Sequence, residues 1–309
     1  SDAIRSADVI FVAVGTPAKK EGDGVDLTQL YTVVKDLENL IDKPALIVIK
    51  STVPVGTNRK IRGILQKAHP KIQIDIVSNP EFLREGSAVN DFLLPDRVVI
   101  GVESKSAKSI IKKIYGFLES TTPIIYTDLE SAELIKYASN SFLAAKISFI
   151  NEIAGLCEKV GADVTCVSEG IGLDHRIGNK FLAAGPGFGG SCFPKDTLSL
   201  VQTGRESGAP QLITEAAMQI NKSVKLRMVE KIINFCEGSV YDKKIVILGV
   251  TFKPNTDDMR DSVSLKMIPY LCNNGSIVTY YDPTGPKNNF IKVKNCLYKK
   301  NIKDTCKNV

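Results

Sequence analysis

Asp8-Val-Ile-Phe-Val-Ala-Val14 is an almost continuous apolar run of strand length that stops at Gly15, Thr16 and Pro17. A strand apolar on both faces belongs inside a covered parallel sheet. After it, Leu27, Leu30, Val33, Val34, Leu37 and Ile41 recur at helical spacing, with Asp26 placed as the N-cap. A second apolar run, Ala45 to Lys50, stops at STVPVGT (51–57), and a helix is predicted over 57–68. The alternation continues through Ile72–Val77, Arg97–Val102, a helix over 107–118 and Pro123–Tyr126. This pattern predicts a parallel, doubly wound sheet, in which ligands sit beyond the carboxyl ends of the strands. Three of those ends carry short polar motifs, VGTP (14–17), STVP (51–54) and NPEFLREG (79–86), and together they predict a binding crevice.

The spacing then predicts one long helix over 129–160, ended by Gly161 and apolar nearly all round, hence buried between domains or subunits. Lys136 and Asn140, at i and i+4, project from one face of it and need a partner there. A helix over 213–236 leads to the strand Lys244–Gly249, a helix over 262–272 ended by Asn274 and Gly275, and the strand Ile277–Tyr281, which delivers Asp282. Such a βαβ half is a mononucleotide-binding unit. The expected architecture is α/β: two Rossmann-like domains, over 1–128 and 237–309, joined by a helical middle domain over 129–236.

In that middle region lies Gly185–Asp196, GPGFGGSCFPKD. Its four glycines remove the Cβ atoms that would keep a ligand away from the backbone. Residues 196–201 have helical spacing, so Cys192 is expected just before a helix N-terminus and beside Lys195, two influences that favour a thiolate. Gly185, Gly187 and Gly190 also satisfy G-x-G-x-x-G, but no β-branched run precedes them and Pro186 and Pro194 interrupt the segment, so this is no dinucleotide fingerprint.

The 309 residues, 43% hydrophobic and 24% charged, suggest about two domains of ordinary globular composition. No apolar run reaches membrane-spanning length, and SDAIRSADVIF lacks the basic start and cleavage site of a signal peptide, so a cytoplasmic location is expected. Seven cysteines without a C-x-x-C pair suit a reducing compartment and predict neither a disulfide framework nor a metal site. The net charge of +6 is accounted for by seven lysines against Asp304 within Thr284–Val309, which reads as a solvated end and not as a nucleic-acid surface.

STVPVGT, NPEFLREGSA, KYASNSFLAAKISFINE, DHRIG, GPGFGGSCFPKD and GVTFKPNTDDMRDS, in this order from Ser51 to Ser262, resemble the UDP-glucose/GDP-mannose dehydrogenase family. The resemblance implies NAD-dependent four-electron oxidation of UDP-glucose to UDP-glucuronate through a thiohemiacetal and a thioester on Cys192. It implies catalytic roles for Lys136, Asn140, Asp196, Thr52 and Glu81. It implies NAD contacts from Gly15, Thr16, Pro17, Ser51, Thr52, Val53, Glu85, Lys195 and Arg260. Around the UDP-sugar it places Glu81, Phe82, Leu83, Arg84, Glu85, Lys136, Asn140, Phe181, Leu182, Ala183, Ala184, Gly185, Gly189, Phe252 and Lys253. Arg176 is implied to act from the neighbouring subunit of a homodimer, whereas His175 beside it reads as an ordinary loop residue. Members of the family begin with a strand and a G-x-G-x-x-G turn absent from this sequence, so the first domain is expected to be truncated at its N-terminus, the second at its C-terminus, and the chain to be a piece of a longer protein. Other readings are a dehydrogenase of GDP-mannose or a UDP-N-acetylhexosamine, a thiol hydrolase using Cys192, disfavoured because the only histidines are His69 and His175, and a non-catalytic fragment.

Overall fold

The computed structural model describes residues 2–19 and 24–307. Its elements are, in order, α1 (Asp2–Ser6), β1 (Val9–Val12), α2 (Thr28–Leu40), β2 (Ala45–Ile49), α3 (Thr57–Ala68), β3 (Ile74–Ser78), α4 (Ala88–Leu93), β4 (Val98–Val102), α5 (Lys105–Tyr115), β5 (Ile124–Thr127), α6 (Leu129–Val160), α7 (Val164–Gly172), α8 (Phe193–Glu206), α9 (Leu212–Phe235), β6 (Lys244–Leu248), α10 (Ser264–Asn273), β7 (Ile277–Tyr281), β8 (Cys296–Tyr298) and α11 (Ile302–Thr305). They form two compact units. One is the chain up to Ser139 with Leu198–Pro210; the other is Asn140–Thr197 with the chain from Gln211 onward.

The first unit holds a five-stranded sheet in the order β1-β2-β3-β4-β5. β2 shows why its apolar run is unbroken. Ile47 and Ile49 pack with Leu30, Val34 and Leu37 of α2 and Ile61 and Leu65 of α3 on one face, while Leu46 and Val48 pack with Ala107, Ile111 and Tyr115 of α5 on the other. Each fully buried Val, Leu or Ile among them contributes roughly 1.5–3 kcal/mol.

The expectation of a wholly parallel sheet is corrected at one joint, because β3 and β4 pair antiparallel through Val77–Val102 and Ser78–Gly101. A parallel neighbour requires a crossover on a face of the sheet, and the connection over 79–97 contains only the six-residue α4, so the chain turns back along β3. Two smaller expectations also shift. Asp26 caps α2 from one residue further out than the N-cap, its Oδ1 accepting from Thr28 N at 2.9 Å. α6 has the predicted bounds but is not covered all round: Phe142, Phe149 and Leu156, spaced by seven, are half or more exposed.

The second unit carries the parallel sheet β6-β7-β8, with Ile247, Val278 and Tyr280 packed against Ile268 and Leu271 of α10. The lysine-rich end is therefore no plain solvated tail. β8 pairs with β7 and Phe290 is buried edge-on to Tyr280, because apolar residues are interleaved with its lysines. Asp282, placed at the strand end as expected, is buried and accepts from Val250 N at 2.9 Å and Thr284 N at 2.9 Å, with Lys287 Nζ 3.6 Å away. It fixes the turn after β6.

Candidate functional site

In the first unit, the loops after β1 and β2 are laced together by their own hydroxyls. Ser51 Oγ donates to Val14 O at 2.7 Å, and Thr16 Oγ1 donates to Thr52 O at 2.8 Å. Thr16, Ser51, Thr52 and Val53 are buried, while Gly15 and Pro17 are exposed beside them. The arrangement presents the ends of adjacent parallel strands as one shelf, the place where a doubly wound sheet receives a dinucleotide.

The loop after β3 brings charge together. Phe82 lies under the Arg97 guanidinium at 3.7 Å from the ring centroid, with Lys136 Nζ at 5.2 Å. Lys50 Nζ donates to Asn79 O at 3.4 Å. Burial holds the Lys50 ammonium below the usual lysine range; Glu81 opposes that shift and Lys136 adds to it. Lys136 is buried on α6, and among the described residues its Nζ makes no ion pair. Three cations against Glu81 attract an anion to this spot. Leu83 and Glu85 are half-buried, while Arg84 points outward in a 2.5 Å ion pair with Asp91.

In the second unit, α8 begins at Phe193, so Cys192 immediately precedes its first turn, exposed, with Sγ 3.6 Å from Ser191 Oγ. Lys195, expected beside the thiol, donates to Asp196 Oδ1 at 2.6 Å. The other Asp196 oxygen accepts from Asn140 Nδ2 at 2.5 Å, and Asp196 N donates to Cys192 O at 2.8 Å. Asn140, Asp196 and Cys192 are thereby joined.

The glycine loop before Cys192 is gripped by amides the sequence reading missed. Gly185 N donates to Asn151 Oδ1 at 2.7 Å; Phe188 N donates to Asn221 Oδ1 at 2.7 Å, and Asn221 Nδ2 returns a bond to Phe188 O at 3.1 Å. A Cβ on Gly189 would stand 2.6 Å from Asp261 O, and one on Gly190, whose φ is +81°, 2.7 Å from the Phe252 ring. Gly190 N donates to Arg260 O at 2.7 Å, and the buried Lys225 holds Asp261 O at 2.8 Å. Burial lowers the Lys225 pKa. Phe252 and Lys253 thus border the loop, with Lys253 Nζ 5.5 Å from the Phe252 centroid. Along 181–184, Leu182 is buried and Phe181, at φ +66°, Ala183 and Ala184 are exposed. Two cations expected at ligands are held by nearby acids: Arg260 by Asp258 at 2.8 Å and Arg176 by Asp174 at 2.6 Å. Both remain largely exposed.

Residues 1–119 match the model of the UDP-glucose/GDP-mannose dehydrogenase family's NAD binding domain, 130–223 its central domain and 246–309 its UDP binding domain. The chain belongs to this family. It is 48% identical over 290 residues to a UDP-glucose 6-dehydrogenase of Rhizobium meliloti, covering 93% of this chain and 66% of that protein. It is 49% identical over 282 residues to UDP-glucose 6-dehydrogenase TuaD of Bacillus subtilis, covering 91% and 60%. A solved UDP-glucose dehydrogenase from Pyrobaculum islandicum superposes with a TM-score of 0.90 at 36% identity, over 97% of this chain and 70% of that one. The chain therefore spans somewhat less than two thirds of the two curated relatives. The family assigns NAD to the first unit, and its shelf of strand ends with a bare Gly15 suits such a cofactor. Among the described residues no cluster of His, Cys, Asp or Glu could hold a metal, and no helix is long and apolar enough to cross a membrane.

Proposed function

We propose that the intact protein oxidises UDP-glucose to UDP-glucuronate. What supports this reading is an exposed cysteine at a helix start, on a chain that also carries a buried lysine with no ion pair among the described residues and whose relatives at 48–49% identity are UDP-glucose 6-dehydrogenases. NAD, when bound, would supply the hydride acceptor for both oxidations at C6 of the sugar. Gly15, Thr16, Pro17, Ser51, Thr52, Val53 and Glu85 would hold it, with Lys195 and Arg260 reaching it from their carboxylates.

The chain's own residues do the rest. Lys136 Nζ and Asn140 Nδ2 stabilise the charge developing on the C6 oxygen. Cys192 Sγ bonds to the aldehyde carbon, giving a thiohemiacetal; after the second oxidation the carbon is a thioester, and water releases the acid and regenerates the thiol. Asp196 fixes Asn140 and, with Glu81 and a water beside Thr52, exchanges the protons. Phe82 to Glu85, Phe181 to Gly185, Gly189, Phe252 and Lys253 bind the nucleotide sugar.

The protein acts as a homodimer. The heptad-spaced Phe142, Phe149 and Leu156 leave an apolar seam on α6 that a second copy would cover, and the outward Arg176 would reach the partner's substrate. A panel of UDP-glucose, GDP-mannose and UDP-N-acetylhexosamines with NAD tests the reading. NADH formation fastest with UDP-glucose supports it; preference for another sugar, or hydrolysis without NAD, overturns it. Mixing Arg176→Ala with Cys192→Ser chains should restore activity, and mixed dimers without recovery would place Arg176 in its own site.

A further inference from the structure

The N-terminus of α3 lacks a cap of its own. Gly56, in the N-cap position at φ +86°, has no side chain, so the first amides of the helix would go unpaired. The acceptor comes from α6. Glu133 Oε2 accepts from Gly56 N at 2.6 Å, and Oε1 accepts from Asn58 N at 2.8 Å and Asn58 Nδ2 at 2.7 Å. Glu133 is 2% exposed and Asn58 fully buried. Among the described residues no lysine or arginine pairs with this carboxylate, so backbone and amide N–H groups alone balance its charge.

The left-handed backbone at position 56 favours glycine, so α3 cannot draw a capping side chain from that position. The charge has instead been placed one turn before Lys136, at i and i+3, which ties the Ser51–Val55 loop to the turn of α6 that presents the lysine. The far side of the same loop is fixed at Thr52 O by Thr16 and at Pro54 O by Thr57, 2.5 Å away. We infer that Glu133 is a positioning residue, which sets the Ser51–Val55 loop and Lys136 in one fixed relation and so orients both for the reaction. The inference rests on the function proposed above.

The test is a double-mutant cycle on the intact protein. Glu133→Gln keeps the shape but turns an NH₂ toward a backbone donor. It is expected to lower kcat about tenfold per folded enzyme, with KM for UDP-glucose within about twofold, yet to cost less than about twofold when added to Lys136→Ala. Backbone amide exchange over residues 51–58 should also accelerate. Equal losses in both backgrounds, or an unchanged kcat in a variant whose exchange has accelerated, would overturn the inference and assign Glu133 to stability alone. If Glu133→Gln does not fold, Glu133→Asp, whose shorter arm cannot reach both Gly56 and Asn58, runs through the same cycle. Full turnover by Lys136→Ala alone would instead defeat the functional reading.

Discussion

The loop before α3 and the loop before α8 both deliver the chain to a helix N-terminus, yet they are fixed by different chemistry. Ser51–Gly56 is held by hydroxyls and by one buried charge, Glu133, whose carboxyl is pushed up by burial against the pull of its three N–H donors. Gly185–Ser191 is held by the neutral amides of Asn151 and Asn221 and by the absence of Cβ atoms where Phe252 and Asp261 press in. The first should fail when a charge or an acceptor is altered. The second should fail when volume is added.

The largest effect is expected at the rim of the second loop. Cys192→Ser should bind UDP-glucose normally but lose net conversion to the acid by at least about 10³-fold, since a hydroxyl lacks the thiolate's nucleophilicity near neutral pH. Product analysis checks it, and undiminished UDP-glucuronate would remove the covalent step. Next comes the charge side. Lys136→Ala should lower kcat by roughly 10²–10³-fold, the usual loss on deleting an oxyanion donor, with a smaller change in KM.

Volume is tested by two alanines. Gly189→Ala sets a methyl against the Asp261 carbonyl and should cost about 2–3 kcal/mol in denaturant unfolding. Gly15→Ala, on the first unit's shelf, meets only the flexible Gln29 Oε1 at 3.3 Å and should cost no more than about 0.5 kcal/mol. Equal costs would erase the contrast between the loops.

The smallest effect concerns the exposed end of the charge-held side. The Arg84 guanidinium, with Arg84 N and Ser87, holds Asp91 down to about 2 from 3.8. A depressed carboxylate contributes stability that is present above its unfolded pKa and lost as pH falls toward the folded one. Asp91→Asn should therefore be less stable than wild type by about 1 kcal/mol or less at neutral pH, with the gap closing below about pH 4. A gap that persists at lower pH would mean the pair contributes through packing.

Much of this was legible in the sequence, and the exceptions share a cause. Apolar runs and helical spacing located β2, α3, α6 and β7 almost to the residue, because burial on both faces or along one face imposes a period on side chains. The motifs singled out Cys192, Lys136 and Asn140, whose roles belong to the proposed function. Nothing in a one-dimensional period announces that β4 turns back along β3, since that depends on whether 79–97 crosses the sheet. Glu133, Asn151, Asn221 and Lys225 were missed for a related reason. A single polar residue in a helix looks the same whether it meets water or caps a distant loop. An acid one turn before Lys136, in a largely apolar helix, was the available signal for Glu133. Lys195 adds a contact that its adjacency to Cys192 did not foretell, an ion pair with Asp196 at 2.6 Å.

Acid-quenched turnover of the intact protein with UDP-glucose and NAD, followed by mass spectrometry of the peptide containing Cys192, tests the account most directly. The expected result is a transient acyl adduct of the nucleotide sugar on Cys192, formed and lost at rates that match the appearance of UDP-glucuronate. UDP-glucuronate accumulating at full rate with Cys192 unmodified at every time point would contradict it.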